Sequence, residues 1–236
     1  MYFLIDKELK IVFGWSTKCG CSHIKNMFWY LLNNTEVNII HFNDEYNCLP
    51  DDIENYTTIL IIRNPYERII SGFLDKYNSN TNIITRSGEY RHLWKHDKIT
   101  FSMFVDELIK NQWKMVEYHH FTPQTTEKFN KSLILKSKCL KIYDINNVDY
   151  SFIESLYNKK ITKNVLQFKG NHTKKKHSQD FDDYVYDLDM DTYNNNFNVK
   201  NYLFYNEVIQ QKVYEFYKND FLFFEEHGFF YKAPTP

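Results

Sequence analysis

The stretch IVFGWSTKCGCS, residues 11–22, predicts the fold because an apolar run is followed within a few residues by a turn and then by the start of a helix. Ile11 to Trp15 is a short apolar run typical of a buried strand, and Ser16 to Gly20 is a turn. Ser22 can cap the helix that follows, where apolar residues recur from Ile24 to Leu32 at helical spacing. A strand, a turn of small residues and a helix present backbone N–H groups and a positive helix end to an anion. The stretch therefore predicts a phosphate-binding loop.

This loop differs from the loop that binds nucleoside triphosphates, which reads G-x-x-x-x-G-K-[ST]. Five residues separate Gly14 from Gly20, Cys21 stands in place of the lysine, and Lys18 precedes the second glycine. Arg63, rather than a carboxylate suited to magnesium, follows the next predicted strand. The pattern disfavours a magnesium-dependent kinase or ATPase. On its own, the loop fits a tight turn with an exposed lysine about as well as it fits a phosphate site.

A second motif, RNPYERIISGFLDK at residues 63–76, follows the β-branched run Thr57 to Ile62, which predicts another buried strand. Arg63 would lie at the carboxyl end of that strand, where α/β sheets bind ligands, and its guanidinium can bind a phosphate through two hydrogen bonds. Pro65 begins a helix, and Ser71 lies about two turns into it, within reach of the same phosphate. The alternative is an arginine that caps carbonyl groups and a serine on a solvated face.

Strands and helices alternate along the chain, which favours the α/β class with a P-loop-like three-layer fold and a central, mainly parallel sheet flanked by helices. We predict one domain, residues 1–236, with polar insertions at about 78–98 and 169–198. The remaining predicted elements are a helix capped by Thr100, a strand at Leu140–Tyr143, and helices at Val148–Tyr157 and Tyr205–Tyr217.

The composition excludes a wholly disordered chain and a fibrous protein. The chain has 236 residues, of which 43% are hydrophobic and 25% charged, as in ordinary globular domains. Its net charge is −1, so we expect no nucleic-acid partner, and any anion site must be local. Its 4 cysteines form no disulfide framework, which favours a reducing compartment. No segment reaches the roughly 18 apolar residues that a membrane span needs.

The two motifs together resemble those of the Golgi-type carbohydrate sulfotransferases, which use 3′-phosphoadenosine-5′-phosphosulfate (PAPS). The family's first motif reads approximately P-K-x-G-C-T-x-x-K, and residues 17–25 read TKCGCSHIK, departing at Thr17 and Ser22. Its second reads R-[ND]-P-[YF]-E-R-[LI]-x-S-x-F-x-[DE]-K, which residues 63–76 match almost completely.

Two further stretches resemble the same family. YHHFTPQ at residues 118–124 is similar to D-x-H-W-x-P-Q, with Tyr118 in place of Asp and Phe121 in place of Trp. VYEFYKNDF at residues 213–221 resembles the closing I-Y-x-x-D-F element. The resemblance therefore covers the chain from about residue 10 to about residue 230.

The resemblance implies a P-loop-like fold, PAPS as donor, a carbohydrate acceptor and no metal. Lys18 would stabilise the charge on the leaving oxygen, and His120 would take the acceptor proton, with His119 as the neighbouring alternative. The basic segment at residues 171–177 would hold the donor or an acidic acceptor, or be a solvated charge run. The predicted donor-binding residues are Ser16, Thr17, Lys18, Cys19, Gly20, Cys21, Ser22, Arg63 and Ser71.

Other interpretations stay open from the sequence. A nucleotide or sugar kinase with a degenerate loop would turn over ATP with magnesium, and a non-catalytic nucleotide or glycan binder on the same fold would bind without transfer. Cys19, Cys21 and His23 match a zinc site poorly, because no second ligand pair follows. Family members in animals are usually anchored in the Golgi membrane. We expect a cytoplasmic protein if the chain is complete, and a Golgi-lumen protein if an N-terminal anchor is missing. The sequence predicts no oligomeric state.

Overall fold

A computed structural model describes residues 1–34, 48–77, 99–111, 118–125, 129–166, 179–193 and 197–236. The chain forms two compact units, the first from Met1–Arg63 and Gln124–Thr173, the second from Asn64–Pro123 and Lys174–Pro236. The single domain expected over residues 1–236 stays a prediction. The predicted insertion at 78–98 and the basic segment at 171–177 lie outside the described residues.

The first unit contains a four-stranded sheet in the order β1-β2-β3-β4. The strands are β1 (Tyr2–Asp6), β2 (Ile11–Trp15), β3 (Thr57–Ile62) and β4 (Cys139–Asp144). β2, β3 and β4 run parallel, while β1 pairs antiparallel with β2 as an edge strand that the sequence analysis did not predict. The α/β class and the mainly parallel sheet are therefore confirmed.

Both faces of the central strands β2 and β3 are buried, as expected of a sheet flanked by helices. On one face, Phe13 and Ile59 pack with the helices α1 (Cys21–Asn33), α5 (Tyr150–Tyr157) and α6 (Lys163–Leu166). The residues of opposite orientation, Val12 and Leu60, have no exposed area either. The short helix α4 (Lys131–Ile134) precedes β4.

The predicted cap of α1 was wrong. Ser22 lies within the first turn, and the N-cap position belongs to Gly20, whose φ of 68° is left-handed and which makes no side-chain cap. The reason is that the loop turns into the helix through a backbone conformation that favours glycine.

The second unit is mainly helical. Its longer helices are α2 (Pro65–Lys76), α3 (Phe101–Asn111), α8 (Glu207–Phe216) and α9 (Lys218–Glu226), with the short helix α7 (Met190–Tyr193) and the two-residue strands β5 (Asp180–Phe181) and β6 (Asn198–Val199). The predicted Thr100 cap is confirmed, since Thr100 Oγ1 accepts from the N–H of Met103 at 3.2 Å. α2 begins at Pro65 as predicted, and the structure adds a cap in which the Asn64 side chain accepts from the N–H of Tyr66 at 3.0 Å.

Aromatic rings form the core of the second unit. Phe73, Phe101, Phe104 and Phe121 have no exposed area, and the rings of Phe104 and Phe121 lie 4.8 Å apart. Tyr193 is equally buried and belongs to this core. Part of the stretch expected as a polar insertion at about 169–198 therefore supplies core residues.

Gly72 lies in α2 where no side chain fits. A Cβ at this position would lie 2.4 Å from Cε1 of Phe121, a ring packed on several sides by other aromatic rings. The glycine of the motif at 63–76 is thus matched to the phenylalanine of the motif at 118–124.

We predict that Gly72→Ala destabilises the protein, although alanine normally favours a helix by about 1 kcal/mol. The added methyl group must displace the Phe121 ring, at a net cost of about 1–3 kcal/mol in the free energy of unfolding. Chemical denaturation measures this cost. Gly72→Ala in a Phe121→Leu background is the matched control, where the cost shrinks if the contact is its cause. An equal cost in both backgrounds would contradict the explanation.

Candidate functional site

The loop between β2 and α1 has an unusual backbone. Lys18 and Gly20 both have left-handed φ angles, of 65° and 68°. The N–H of Cys19 donates to the carbonyl of Ser16 at 3.1 Å, which closes a turn inside the loop. A lysine in this conformation is strained, and such strain persists where the surroundings hold it, often at functional sites.

Gly20 is required for space as well as for conformation. A Cβ on Gly20 would lie 2.6 Å from Cδ1 of Ile145, the residue that follows β4. The N–H of Ile145 donates to the carbonyl of Ile62 at 2.8 Å, so this neighbour is anchored to β3. A side chain at Gly20 would therefore have to displace the end of the Ile145 side chain, in addition to adopting a left-handed backbone.

The loop has the features of an anion site. α1 has no acidic residue in its first turn, so no carboxylate competes for the positive end of its dipole. Ser16 is 3% exposed, and its hydroxyl has no hydrogen-bond partner among the described residues. A buried hydroxyl without a partner costs free energy, which an acceptor atom of a ligand would recover.

Arg63 directly follows β3 and contacts the loop. Its Nη1 donates to the carbonyl of Lys18 at 3.0 Å. The structure therefore brings together the predicted arginine and the predicted loop within the first unit. This contact also agrees with the alternative that Arg63 caps a carbonyl, since the carbonyl belongs to the loop itself.

Gln124 connects the same groups, and sequence reasoning did not select it as a site residue. It has no exposed area, its Nε2 donates to the carbonyl of Arg63 at 2.8 Å, and its Oε1 accepts from the N–H of Arg63 at 3.1 Å. The same Oε1 accepts from the thiol of Cys19 at 3.1 Å. Only its position at the end of YHHFTPQ could have indicated it.

The first turn of α1 carries further polar contacts. Nε2 of His23 lies 2.9 Å from the hydroxyl of Tyr150, and burial lowers the pKa of His23. Lys25 is buried, with its ammonium 4.2 Å from the ring of Trp15. Cys19 and His23 thus contact different partners. In the part of the chain that the structure describes, no group of three or more His, Cys, Asp or Glu could hold a metal, and the metal-free site stays a prediction.

Ser71 and His120 belong to the second unit. Ser71 is half-buried in α2, and His120 is half-buried in the 3₁₀ turn Tyr118–His120, beside the exposed His119. The two histidine rings have centroids 4.0 Å apart.

The backbone at and just after this turn accepts hydrogen bonds from buried side chains. Nη2 of Arg68, which is 1% exposed, donates to the carbonyl of His120 at 3.3 Å. The hydroxyl of Tyr217 donates to the carbonyl of Phe121 at 2.8 Å. Two buried side chains therefore fix the main chain at and after the candidate base.

A pocket of about 510 Å³ adjoins the same turn within the second unit. Tyr118, Pro123 and Phe216 form apolar parts of its lining, and burial raises the pKa of Tyr118. Gln211 and Glu215 supply polar groups, and Nε2 of Gln211 donates to Oε1 of Glu215 at 3.0 Å. The lining combines flat apolar surfaces with hydrogen-bonding groups.

Within the described ranges, no helix has the length and apolar character needed to cross a bilayer. The profile of the sulfotransferase family matches residues 1–227 of the chain. No curated protein and no solved structure shows a significant match. The family match covers nearly the whole sequence and supports sulfuryl transfer as the reaction. The chain belongs to the sulfotransferase family.

Proposed function

We propose that this protein transfers a sulfuryl group from PAPS to a hydroxyl group of a carbohydrate acceptor. Family membership supports the transfer, and one observation carries the choice of donor site: the loop at residues 16–20 is hydrogen-bonded to Arg63. This arrangement sets an anion-binding loop beside a guanidinium. A donor with two separate anionic groups is suited to such a pair of sites.

The loop is our proposed site for the phosphosulfate. Its backbone N–H groups and the start of α1 would bind the anionic oxygens, and the Ser16 hydroxyl would donate the hydrogen bond that it does not make with the described residues. The Lys18 ammonium would stabilise the negative charge that grows on the bridging oxygen. Bound PAPS would supply an activated sulfuryl group and a stable leaving group.

The 3′-phosphate is assigned to Arg63, with Ser71 as the second predicted contact. A guanidinium matches the geometry of phosphate oxygens and stays charged at any physiological pH. The bond from Nη1 to the Lys18 carbonyl supports this role, because it orders the arginine before the donor binds.

His120 is our proposed general base. An imidazole has a pKa suited to accepting a proton near neutral pH. The hydrogen bonds that Arg68 and Tyr217 donate to the carbonyls of His120 and Phe121 support the assignment, since a base must be held in place. The exposed His119 is the neighbouring alternative.

The pocket beside Tyr118 is our proposed acceptor site. Sugar rings pack their apolar faces on aromatic side chains and present hydroxyl groups to amides and carboxylates. Tyr118 and Phe216 supply the first kind of contact, and Gln211 and Glu215 supply the second. The lining of the pocket thus supports a carbohydrate acceptor.

Titration calorimetry with 3′,5′-ADP tests the donor site. We expect the wild type to bind it in preference to ATP with magnesium, and Arg63→Ala to weaken the binding roughly tenfold to a hundredfold through lost charged hydrogen bonds. Lys160→Ala is the matched control: it removes one cation from the first unit at a side chain that is 89% exposed. Preference for ATP with magnesium would overturn the donor proposal and favour the kinase.

Replacement of His120 by alanine tests the base. We expect unchanged affinity for 3′,5′-ADP and a loss of transfer of about a hundredfold to ten-thousandfold, as is typical of general-base removal. Release of 3′,5′-ADP from PAPS in the presence of a glycan panel measures the transfer. His119→Ala is the matched control and should keep most of the activity. The reverse pattern would assign the base to His119, and binding without transfer in the wild type would favour the non-catalytic binder.

Phe216→Ala tests the acceptor pocket. Loss of one stacking face should raise KM for the sugar acceptor about threefold to tenfold and leave kcat nearly unchanged at saturating PAPS. Val208→Ala, on an exposed apolar residue of the same helix, is the control and should change neither constant. Equal KM values for Phe216→Ala and the wild type would exclude this pocket as the acceptor site.

A further inference from the structure

We infer that Gln124 is a positioning residue, whose buried amide holds Arg63 and the loop at Cys19 in the arrangement that binds the donor. The consequence for donor binding rests on the proposed function, whereas the positioning itself concerns this chain alone. Gln124 makes three hydrogen bonds to two segments that are distant in sequence. Gln124 has no exposed area, and its bond to the Cys19 thiol is buried on both sides.

The first reason lies in the backbone of Arg63. The pairing of β3 with β4 ends at Ile62, opposite Asp144, so the peptide groups of Arg63 lie just beyond the ladder. Buried peptide groups need partners. The Gln124 amide supplies both, because its Nε2 donates to the Arg63 carbonyl and its Oε1 accepts from the Arg63 N–H. The Gln124 side chain therefore gives the Arg63 peptide groups the hydrogen bonds that a neighbouring strand would supply within the sheet.

The second reason lies in the loop. The thiol of Cys19 donates to the same Oε1, and Cys19 is flanked by the two left-handed residues Lys18 and Gly20. A strained segment keeps its conformation only when contacts hold it. The bond from Cys19 to Gln124 provides such a contact in the middle of the strained segment.

The third reason is that the amide can act in one orientation only. If oxygen and nitrogen exchanged places, the NH₂ group would face the Arg63 N–H and the Cys19 thiol, and the oxygen would face the Arg63 carbonyl. Both bonds to the Arg63 backbone would be lost and the Cys19 thiol would lose its acceptor oxygen, so the side chain is fixed and so are the groups it holds. Gln124 thereby sets the distance between the Lys18–Gly20 loop and Arg63, the two proposed anion sites.

Gln124→Met is the direct test, because methionine has nearly the same shape and makes none of these bonds. We expect affinity for 3′,5′-ADP to fall roughly tenfold to a hundredfold, in proportion to three lost hydrogen bonds. The matched control is Thr58→Val. Thr58 has no exposed area, lies in β3 of the same unit, and shares a 2.7 Å hydrogen bond with Ser137. Both variants should lower the melting temperature, but only Gln124→Met should weaken nucleotide binding.

A second readout needs no nucleotide. Alkylation of Cys19 by iodoacetamide, followed by mass spectrometry under native conditions, reports how tightly the loop is held. Cys19 is fully buried, so it should react slowly in the wild type and in Thr58→Val, and faster in Gln124→Met. If the wild type does not bind 3′,5′-ADP, the donor proposal fails, while the alkylation rates still decide the positioning.

If Gln124→Met does not fold, Cys19→Ala replaces it, since it removes one of the three bonds and leaves the amide on Arg63. We expect its affinity for 3′,5′-ADP to fall about twofold to tenfold, as is typical of one hydrogen bond. Gln124→Met with wild-type affinity and wild-type alkylation would overturn the inference. So would nucleotide binding that falls equally in Gln124→Met and Thr58→Val, which would indicate a general loss of stability.

Discussion

The parallel pairing of β2 with β3 is the constraint on which the candidate donor site depends. Parallel strands end at the same edge of a sheet, so the loop after β2 and Arg63 after β3 emerge side by side. Because the register pairs Gly14 with Leu60, β2 and β3 end at nearly the same position along the sheet. A Cβ on Gly14 would lie 2.5 Å from a side-chain methyl group of Leu60, so this glycine also keeps the core compact.

From that edge, hydrogen bonds rather than further strands build the site. Arg63 donates to the Lys18 carbonyl, and Gln124 binds Arg63 and Cys19. Each member therefore depends on the others, which is typical of a polar network in a buried region. The strained left-handed conformation of Lys18 is stabilised by this network together with the turn that Cys19 closes with Ser16.

Local sequence patterns were sufficient to predict much of this fold. The apolar run at 11–15 and the β-branched run at 57–62 predict their strands with the bounds that the structure has, α2 begins at Pro65, and Thr100 caps the helix expected of it. The wrong cap and the missed glutamine have different causes. Ser22 has the chemistry of a cap, but the left-handed Gly20 sets the start of α1. Apart from its place in YHHFTPQ, nothing local indicated Gln124, because its partners are 61 and 105 residues away.

The positive charge of Arg63, at the end of β3, affects which anionic ligand the loop can bind. A triphosphate-binding site needs a divalent cation beside its loop, and carboxylates near the carboxyl ends of the strands hold that cation. Arg63 occupies such a position here and reaches into the loop, so a divalent cation at this point would meet a fixed positive charge. The same charge attracts a second anion. The charge of Arg63 therefore supports the proposed donor, which carries separate 3′ and 5′ anionic groups, over a magnesium triphosphate.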